Sequence, residues 1–367
     1  MNKKTTENEL LLYKKVENEL KRMLQCGILK KGGKLPGERA LSEQLNVARG
    51  TLRNALSQLE KNDFLIRIPG KGNFLRDTAI TTRDLRIGYL FPKPNNTIEN
   101  QSYGNYIINS EVWNGILEYS AQFGIAVSFI PVELSNLDNN NELIERIKKD
   151  CSAVILPSWE FTSFANLLKE NNIPFIFTCF QKEYPFVYYN VDKAISQCAD
   201  FILSKGCKTV TLLGLDYGID YDLALTFERK KQIFKEKFAA ANYPIPDENI
   251  VTIDTKEPDI IPNFKNFFSQ NKNRTDAYLG VTPIVSIALL HIANHDHWNI
   301  PNDIQIIGYG NNNKTNLTFP KLTHMFLPHL EMGKKAVEYL VKFIIDNEEI
   351  PKETFLDAQL IIGETTK

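Results

Sequence analysis

The chain lacks most of what several large protein classes require. Five cysteines are spread over 367 residues, at 26, 151, 179, 198 and 207, and none forms a CxxC pair or has zinc-ligand spacing. That argues against a fold stapled by disulfides or zinc, and free thiols in a reducing compartment are expected. No apolar run approaches the ~18 residues needed to span a bilayer. The opening segment MNKKTTENELLLYKK has only a three-leucine run before charge returns, which is not a secretory signal pattern. No membrane association and a cytoplasmic location are the expectations. Catalytic signatures are missing too. No serine sits in a GxSxG elbow, no glycine loop matches a phosphate cradle, and no carboxylates pair across an evident cleft. His291, His295 and His297 lie near the end of an expected helix, whose negative dipole end suits histidine. Carboxylate partners are few there, so no metal is expected. Neither an enzyme nor a cofactor is called for. There are no internal repeats, and low complexity is confined to Asn-rich loops at 136–141 and 311–316.

The net charge of -1 hides an asymmetry. Residues 1–76 hold 16 Lys+Arg against 8 Asp+Glu, or +8, and the remainder holds 27 against 36, or -9. A basic head on an acidic body implies that only the head meets a polyanion.

Within the head, Tyr13, Val16, Leu20, Met23 and Leu24 recur at helical spacing, and Gly27 ends that helix. A second short helix is predicted from Glu38 to Leu45, with Asn46 supplying the left-handed turn residue. A third runs from about Ala48 to Lys61, burying Leu52, Ala55, Leu56 and Leu59. Arg49, Thr51 and Arg53 lie in its first turns, where a recognition helix reaches base edges. Arginine suits that position because its planar fork donates two bonds to guanine O6 and N7. The run FLIRIPGKGNFL then reads as a hairpin whose tip, Pro69-Gly70-Lys71-Gly72, brings charge and close backbone approach together.

This segment resembles the winged helix-turn-helix of the GntR family of bacterial regulators. The resemblance is carried by Leu35-Pro36-x-Glu38-Arg39, by Val47-x-Arg49-x-Thr51-x-Arg53-x-Ala55-x-x-x-Leu59, and by Gly70-x-Gly72-x-Phe74, in that order. It implies operator DNA contacts by Arg39, Arg49, Thr51 and Arg53, with Lys71 and Gly72 of the wing in or near the minor groove. The chain departs from the family at Gly37 and Ala48, where serine is usual, and at Asn73, where threonine is usual. A missing serine at Ala48 costs the recognition helix a cap of ~1 kcal/mol.

Residues 77–84 are polar and aperiodic and read as a linker. Beyond them strands and helices alternate. Strands are expected at 85–91, 126–131, 153–156, 175–178, 209–213, 277–281 and 305–309. Helices are expected at 111–122, 141–149, 162–171, 193–205, 223–241, 260–270, 284–294 and 330–346. Such alternation means parallel sheets flanked by helices, an α/β body. Ligands of such sheets bind at the carboxyl ends of the strands.

The body, residues 85–367, resembles the effector domain of the lactose/galactose repressor family, which has the periplasmic-binding-protein-like fold. The carrying stretches are Ile87-Gly88-Tyr89 with Gly115-Ile116, Ala153-Val154-Ile155-Leu156-Pro157, Val191-Asp192, Glu228-Arg229, Ile300-Pro301-x-Asp303-Ile304-x-Ile306-Ile307-Gly308-Tyr309, and Leu322-Thr323-His324. The resemblance implies two lobes with strand crossings near 190, 326 and 349. Lobe 1 would be about 85–190 and 327–348, and lobe 2 about 191–326 and 349–367. It assigns effector contacts to Asp192 and Arg229. Trp159, and less directly Phe91 and Tyr103, are the aromatic faces available to a sugar. Two usual polar anchors are replaced, by Thr282-Pro283 and by Gly308-Tyr309-Gly310-Asn311 where Gly-Phe-Asp-Asp is usual. Loss of acids leaves the cleft friendlier to an anionic ligand.

The combination is similar to arabinose-type repressors. The expectation is a cytoplasmic, ligand-responsive transcription repressor that binds a near-palindromic operator as a homodimer and responds to a sugar or sugar derivative. The alternative is a small-molecule-binding protein or enzyme fused to a nucleic-acid-binding module.

Overall fold

The computed structural model describes residues 32–61, 64–76, 82–93, 103–138, 140–216, 221–254, 274–310 and 317–367, with isolated positions among 16–29 and 262–265. Side chains at 103–109 and 221–225 are outside this description. Tyr13, Leu24 and Gly27 of the first expected helix also fall outside it, as do most of the expected helix at 260–270, residues 77–81 of the expected linker, and Asn311.

In the head, Val16, Leu20 and Met23 are buried with Leu41, Leu52, Ala55, Leu56 and Leu59, so the helical stripe read from the sequence is a core. Helix α1 (Glu38–Gln44) and helix α2 (Arg49–Lys61) are joined by a turn in which Asn46 takes a left-handed φ of 50°. The Leu52 N–H donates to the Ala48 carbonyl, so Ala48 occupies the cap position of α2 and its methyl group offers no acceptor there. Strands β1 (Leu65–Ile68) and β2 (Gly72–Leu75) pair antiparallel from Leu65↔Leu75 to Ile68↔Gly72. Gly70 and Gly72 both have positive φ, which the tip requires and glycine allows without strain. Lys34 bridges to Phe74, and the Leu35 N–H donates to the Asn73 carbonyl, tying the approach to α1 onto the wing.

The body is two six-stranded sheets. The first contains β3 (Arg86–Pro92), β4 (Ala126–Val132), β5 (Ala153–Leu156), β6 (Phe175–Phe177), β7 (Phe186–Tyr189) and β13 (Glu353–Leu356), in the order β13-β7-β6-β5-β3-β4, all parallel. The second contains β8 (Val210–Asp216), β9 (Ile250–Asp254), β10 (Ala277–Gly280), β11 (Gln305–Gly310), β12 (Thr323–Phe326) and β14 (Gln359–Ile361), in the order β14-β12-β11-β10-β8-β9. Only β14 runs antiparallel in it. Around the first sheet pack α3 (Tyr103–Phe123), α4 (Asn141–Asp150), α5 (Thr162–Glu170) and α9 (His329–Asp346). The second carries α6 (Val191–Ser204), α7 (Tyr221–Ala240) and α8 (Pro283–His295). Central strands such as β5, β7 and β11 are buried at every position, as parallel sheets covered on both faces require.

The chain crosses between lobes three times: from β7 into α6, from β12 into α9, and from β13 into β14. The third crossing was expected near 349 but follows Leu356, because residues 353–356 pair with β7 in the first sheet. Each crossing leaves from the carboxyl end of a strand. The carboxyl ends of both parallel sheets therefore face the junction between the lobes. At that junction the Asn190 N–H donates to the Leu356 carbonyl, 2.9 Å away, so two crossings are bonded to each other.

Helices α3 and α9 cross at backbone distance. A Cβ placed on Gly115 would overlap the Leu330 carbonyl, and one on Gly333 would overlap the Val112 carbonyl. Val112, Ile116, Met332, Ala336 and Val337 close the contact as buried neighbours.

Candidate nucleic-acid interface and effector site

At the head, Arg39, Arg49, Arg53, Lys71 and Gly72 are exposed and Thr51 is half-buried. Arg49 and Arg53 are one helical turn apart and share a face of α2. Opposite that face Leu52, Ala55 and Leu56 are packed inward, so the arginines cannot turn into the core. Two of the basic groups are engaged within the head. Arg53 Nε donates to Glu38 Oε2 at 2.7 Å, and Arg39 Nε donates to Glu43 Oε1 at 3.1 Å. The Arg53 side chain is 67% exposed and the Arg39 side chain 78%, so both pairs are weak and break at low cost against a phosphate or a base edge. Arg67 Nε donates to Asn73 Oδ1, stiffening the wing behind Lys71.

At the lobe junction, Asp192 in the first turn of α6 and Arg229 of α7 are brought together as a two-point pair. Arg229 Nε donates to Asp192 Oδ1 at 2.9 Å and its terminal nitrogen donates to Oδ2. Both side chains are about half exposed, and Gln232 also accepts from Arg229. Both belong to lobe 2, so the pair does not bridge the lobes. Trp159 follows the carboxyl end of β5 in a short 3-10 turn and is partly buried. Phe91, at the carboxyl end of β3, is stacked on Phe129 of β4 at 3.8 Å in a cluster with Tyr89 and Trp113. The Tyr103 side chain lies outside the described residues. Thr282 caps α8, accepting from the Val285 N–H.

Sequence reasoning passed over a second group at this junction. Among the described residues, four carry buried polar side-chain atoms without a hydrogen-bond partner: Ser120, Thr178, Tyr309 and His329. Three of them sit at carboxyl strand ends: Thr178 just after β6, Tyr309 at the end of β11, His329 just after β12. His329 Nδ1 is 3.6 Å from Glu111 Oε2, too long for a hydrogen bond, and its ring lies 6.2 Å from that of Tyr189. The Tyr309 hydroxyl exists only because tyrosine stands where the resembling family has phenylalanine.

Lys230 belongs to this group. It is buried, with its ammonium 4.7 Å from the centre of the Tyr309 ring, a cation–π contact. The signal was present in the sequence, since Lys230 falls on the stripe of Phe227, Ile233, Phe234 and Phe238 that α7 buries. Burial lowers its pKa from 10.5 to about 8 and raises that of Cys198 beside it to about 12. The sign for stability follows. Below pH 8 the lysine is charged in both folded and unfolded chains, and the full cost of burying it is present. Between about 8 and 10.5 only the folded chain loses the proton, so stability rises with pH in that window. Lys230→Met should remove this slope and stabilise the protein at pH 7 by on the order of 3 kcal/mol. Urea unfolding of both proteins at pH 7 and 9.5 measures it, and parallel pH slopes would contradict the burial of a charged amine.

A winged helix-turn-helix head on a two-lobed α/β body is the build of a ligand-responsive transcription regulator. Comparison with known proteins gives the same two parts. Residues 12–75 match the bacterial regulatory proteins of the gntR family, and residues 199–366 match the periplasmic binding protein-like domain. The chain thus carries a gntR-type DNA-binding domain followed by a periplasmic-binding-protein-like domain. It is similar over its whole length to the arabinose metabolism transcriptional repressor of Geobacillus stearothermophilus, at 23% identity covering 98% of this chain and 99% of that one. In fold it is similar to a LacI family transcription regulator from Clostridium acetobutylicum, with a TM-score of 0.62, 17% identity and coverage of 76% and 99%. It is likewise similar to a LacI family regulator from Enterococcus faecium with bound ribose, with a TM-score of 0.60, 17% identity and coverage of 77% and 98%. Among the described residues no helix is long and apolar enough to cross a membrane.

Proposed function

We propose that this chain is a cytoplasmic bacterial transcription repressor and not an enzyme. A homodimer binds a near-palindromic operator and is released by a sugar or sugar-like metabolite. Residues 1–76 form the DNA-binding domain, 77–84 the linker, and 85–367 the sensing and dimerising body. The observation that carries this reading is the coexistence of two features in one chain. One is a row of exposed arginines at the front of α2. The other is a set of buried polar groups, unpartnered among the described residues, at or just past carboxyl strand ends of both sheets. The relative named as an arabinose metabolism repressor spans both features.

Operator contacts are assigned to Arg39, Arg49, Thr51 and Arg53, with Lys71 and Gly72 on the backbone. Effector contacts are assigned to Asp192, Arg229 and Trp159, and less directly to Phe91 and Tyr103. Ligand binding at the junction changes how the lobes meet and so where the two heads lie. Only a ligand with different affinity for the two arrangements can do this, and a coupling of ~1–3 kcal/mol is typical. Selection from a pool of random duplexes tests the reading. It should enrich a two-fold sequence with half-sites about one helical turn, or a multiple of it, apart. Recovery of an unstructured pool, or of a single asymmetric site, would contradict the dimeric repressor.

The dimer contact is supported by large apolar side chains left in solvent: Phe129, 49% exposed on edge strand β4, and Leu317 and Phe319, each 85% exposed. Changing Phe129 and Phe319 together to glutamate should give a monomer in sedimentation and weaken operator binding by roughly a hundredfold, because two linked half-sites reinforce each other. A variant that stays dimeric would move the contact elsewhere.

A further inference from the structure

Four of the cations around Lys230 on α7 have carboxylates of their own. Arg229 pairs with Asp192, Lys231 with Glu228, Lys235 with Asp247 and Lys237 with Asp200. Lys230 is the buried one, and among the described residues no carboxylate pairs with it. Among the described residues, the groups that face it from packed elements are neutral: the Cys198 thiol from α6 and the Tyr309 ring from β11, with Tyr189 beyond Tyr309 at the first crossing. A buried ammonium without an anion is costly, and a ring face offsets that cost only in part.

The position of the group explains how such a cost is tolerated. A helical side chain leans toward its helix's N-terminus, and α7 begins just past the carboxyl end of β8. Lys230 therefore leans toward the junction. There it meets Tyr309, whose hydroxyl is fully buried and has no partner. A charge donor and a hydroxyl donor thus stand side by side, and among the described residues nothing accepts from them. Asp192 does not serve, since both its oxygens are held by Arg229.

We infer that the effector is anionic, a sugar or polyol bearing a carboxylate or phosphate group, and that its anionic oxygens accept from Lys230 and the Tyr309 hydroxyl at the lobe junction. This rests on the reading of the body as a sensor. It assigns the effector's chemical class and moves the decisive cation from Arg229 to Lys230. A ligand anion restores to Lys230 the counter-charge it lacks, so the site discriminates by charge: a neutral sugar would leave the ammonium buried and unpaired.

The test uses the full-length protein and a panel of named compounds: arabinose and galactose as neutral sugars, galacturonate and gluconate as carboxylates, glucose 6-phosphate and ribose 5-phosphate as phosphates. Melting temperature and calorimetric affinity are read for the wild type, Lys230→Met and Tyr309→Phe. At least one acid should bind the wild type tenfold or more tighter than the neutral sugars. The arm of the panel in which it falls tells carboxylate from phosphate. Lys230→Met should lose that advantage, and Tyr309→Phe should lose about five- to tenfold. Wild-type affinity for the acid should fall by up to tenfold per pH unit above about 8, as the lysine loses its proton. Tight binding of a neutral sugar that survives Lys230→Met would overturn the anionic assignment and leave the sensor reading standing. Failure of every compound, charged or neutral, to bind would overturn both. Tyr309→Phe removes one oxygen atom from a buried ring and so tests the same site independently of Lys230→Met.

Discussion

Replacing Arg49 with alanine will cost the protein its preference among operator sequences, while its affinity for unrelated duplex changes little. The expected loss at the selected site is about 1–3 kcal/mol, roughly ten- to a hundredfold, the range of one good two-point contact to a base. Arg53→Ala should behave alike, from a different starting state. In the free protein Arg53 is held by Glu38 at 2.7 Å. Its arginine is 67% exposed and its glutamate 28%, which keeps the pair to about 1 kcal/mol. A base contact is worth more, so DNA wins the competition. Glu38→Gln, which weakens the pair, should raise operator affinity slightly. Lys71→Ala should weaken all duplexes alike and flatten the salt dependence, since a phosphate contact releases counterions without reading sequence. Competition binding against selected and scrambled duplexes measures all four. Unchanged selectivity in both arginine variants would show that α2 is not the reading helix.

The second large effect lies in the body. Gly115→Val should destabilise the protein by more than about 3 kcal/mol, with Gly333→Val close behind, because overpacking against a fixed backbone cannot be relieved by a rotamer change. At both positions the first atom a side chain would meet is a carbonyl of the facing helix. The two helices would have to separate, which unpacks Val112, Ile116, Met332 and Ala336, all less than 2% exposed. By contrast Gly37→Ser should be neutral or mildly stabilising. A Cβ there meets nothing, and the hydroxyl would cap α1, which has no side-chain cap. Urea midpoints give the ranking. A Gly115→Val protein as stable as the wild type would mean that α3 and α9 do not cross as described.

Much of this was legible in the chain itself, for physical reasons that differ by region. The head was plain because three constraints coincide there: helical spacing of leucines, Asn46 at a left-handed turn, and glycines at a hairpin tip. Most central strands were plain because burial on both faces leaves unbroken apolar runs such as Ala153–Leu156, but β7, Phe186–Tyr189, was not expected. The strands at the last two crossings were not plain. β13 reads Glu-Thr-Phe-Leu with alternating exposure, and β12 reads Thr-His-Met-Phe. Neither run is apolar enough to announce a strand, and the crossing near 349 that the resemblance implied lies several residues early. The partner of β13 is β7, more than 160 residues away, and no local pattern encodes that pairing.

The effector site was half legible. Asp192 and Arg229 were implied by the family resemblance, and the structure pairs them with each other at half exposure. Lys230 was hidden inside the run Glu228-Arg229-Lys230-Lys231, where composition alone suggests a solvated face. What distinguishes it is phase. It lies on the buried stripe of α7 and its neighbours do not.

The central claim is that one chain couples a duplex-reading head to a metabolite-sensing body. The most direct test is operator affinity by fluorescence anisotropy, on the duplex the protein itself selects, with and without the compound that most raises its melting temperature. Saturating compound should weaken binding by roughly five- to a hundredfold and be recovered chemically unchanged. Operator affinity that stays the same while the compound is demonstrably bound, or a compound converted to product, would contradict the account.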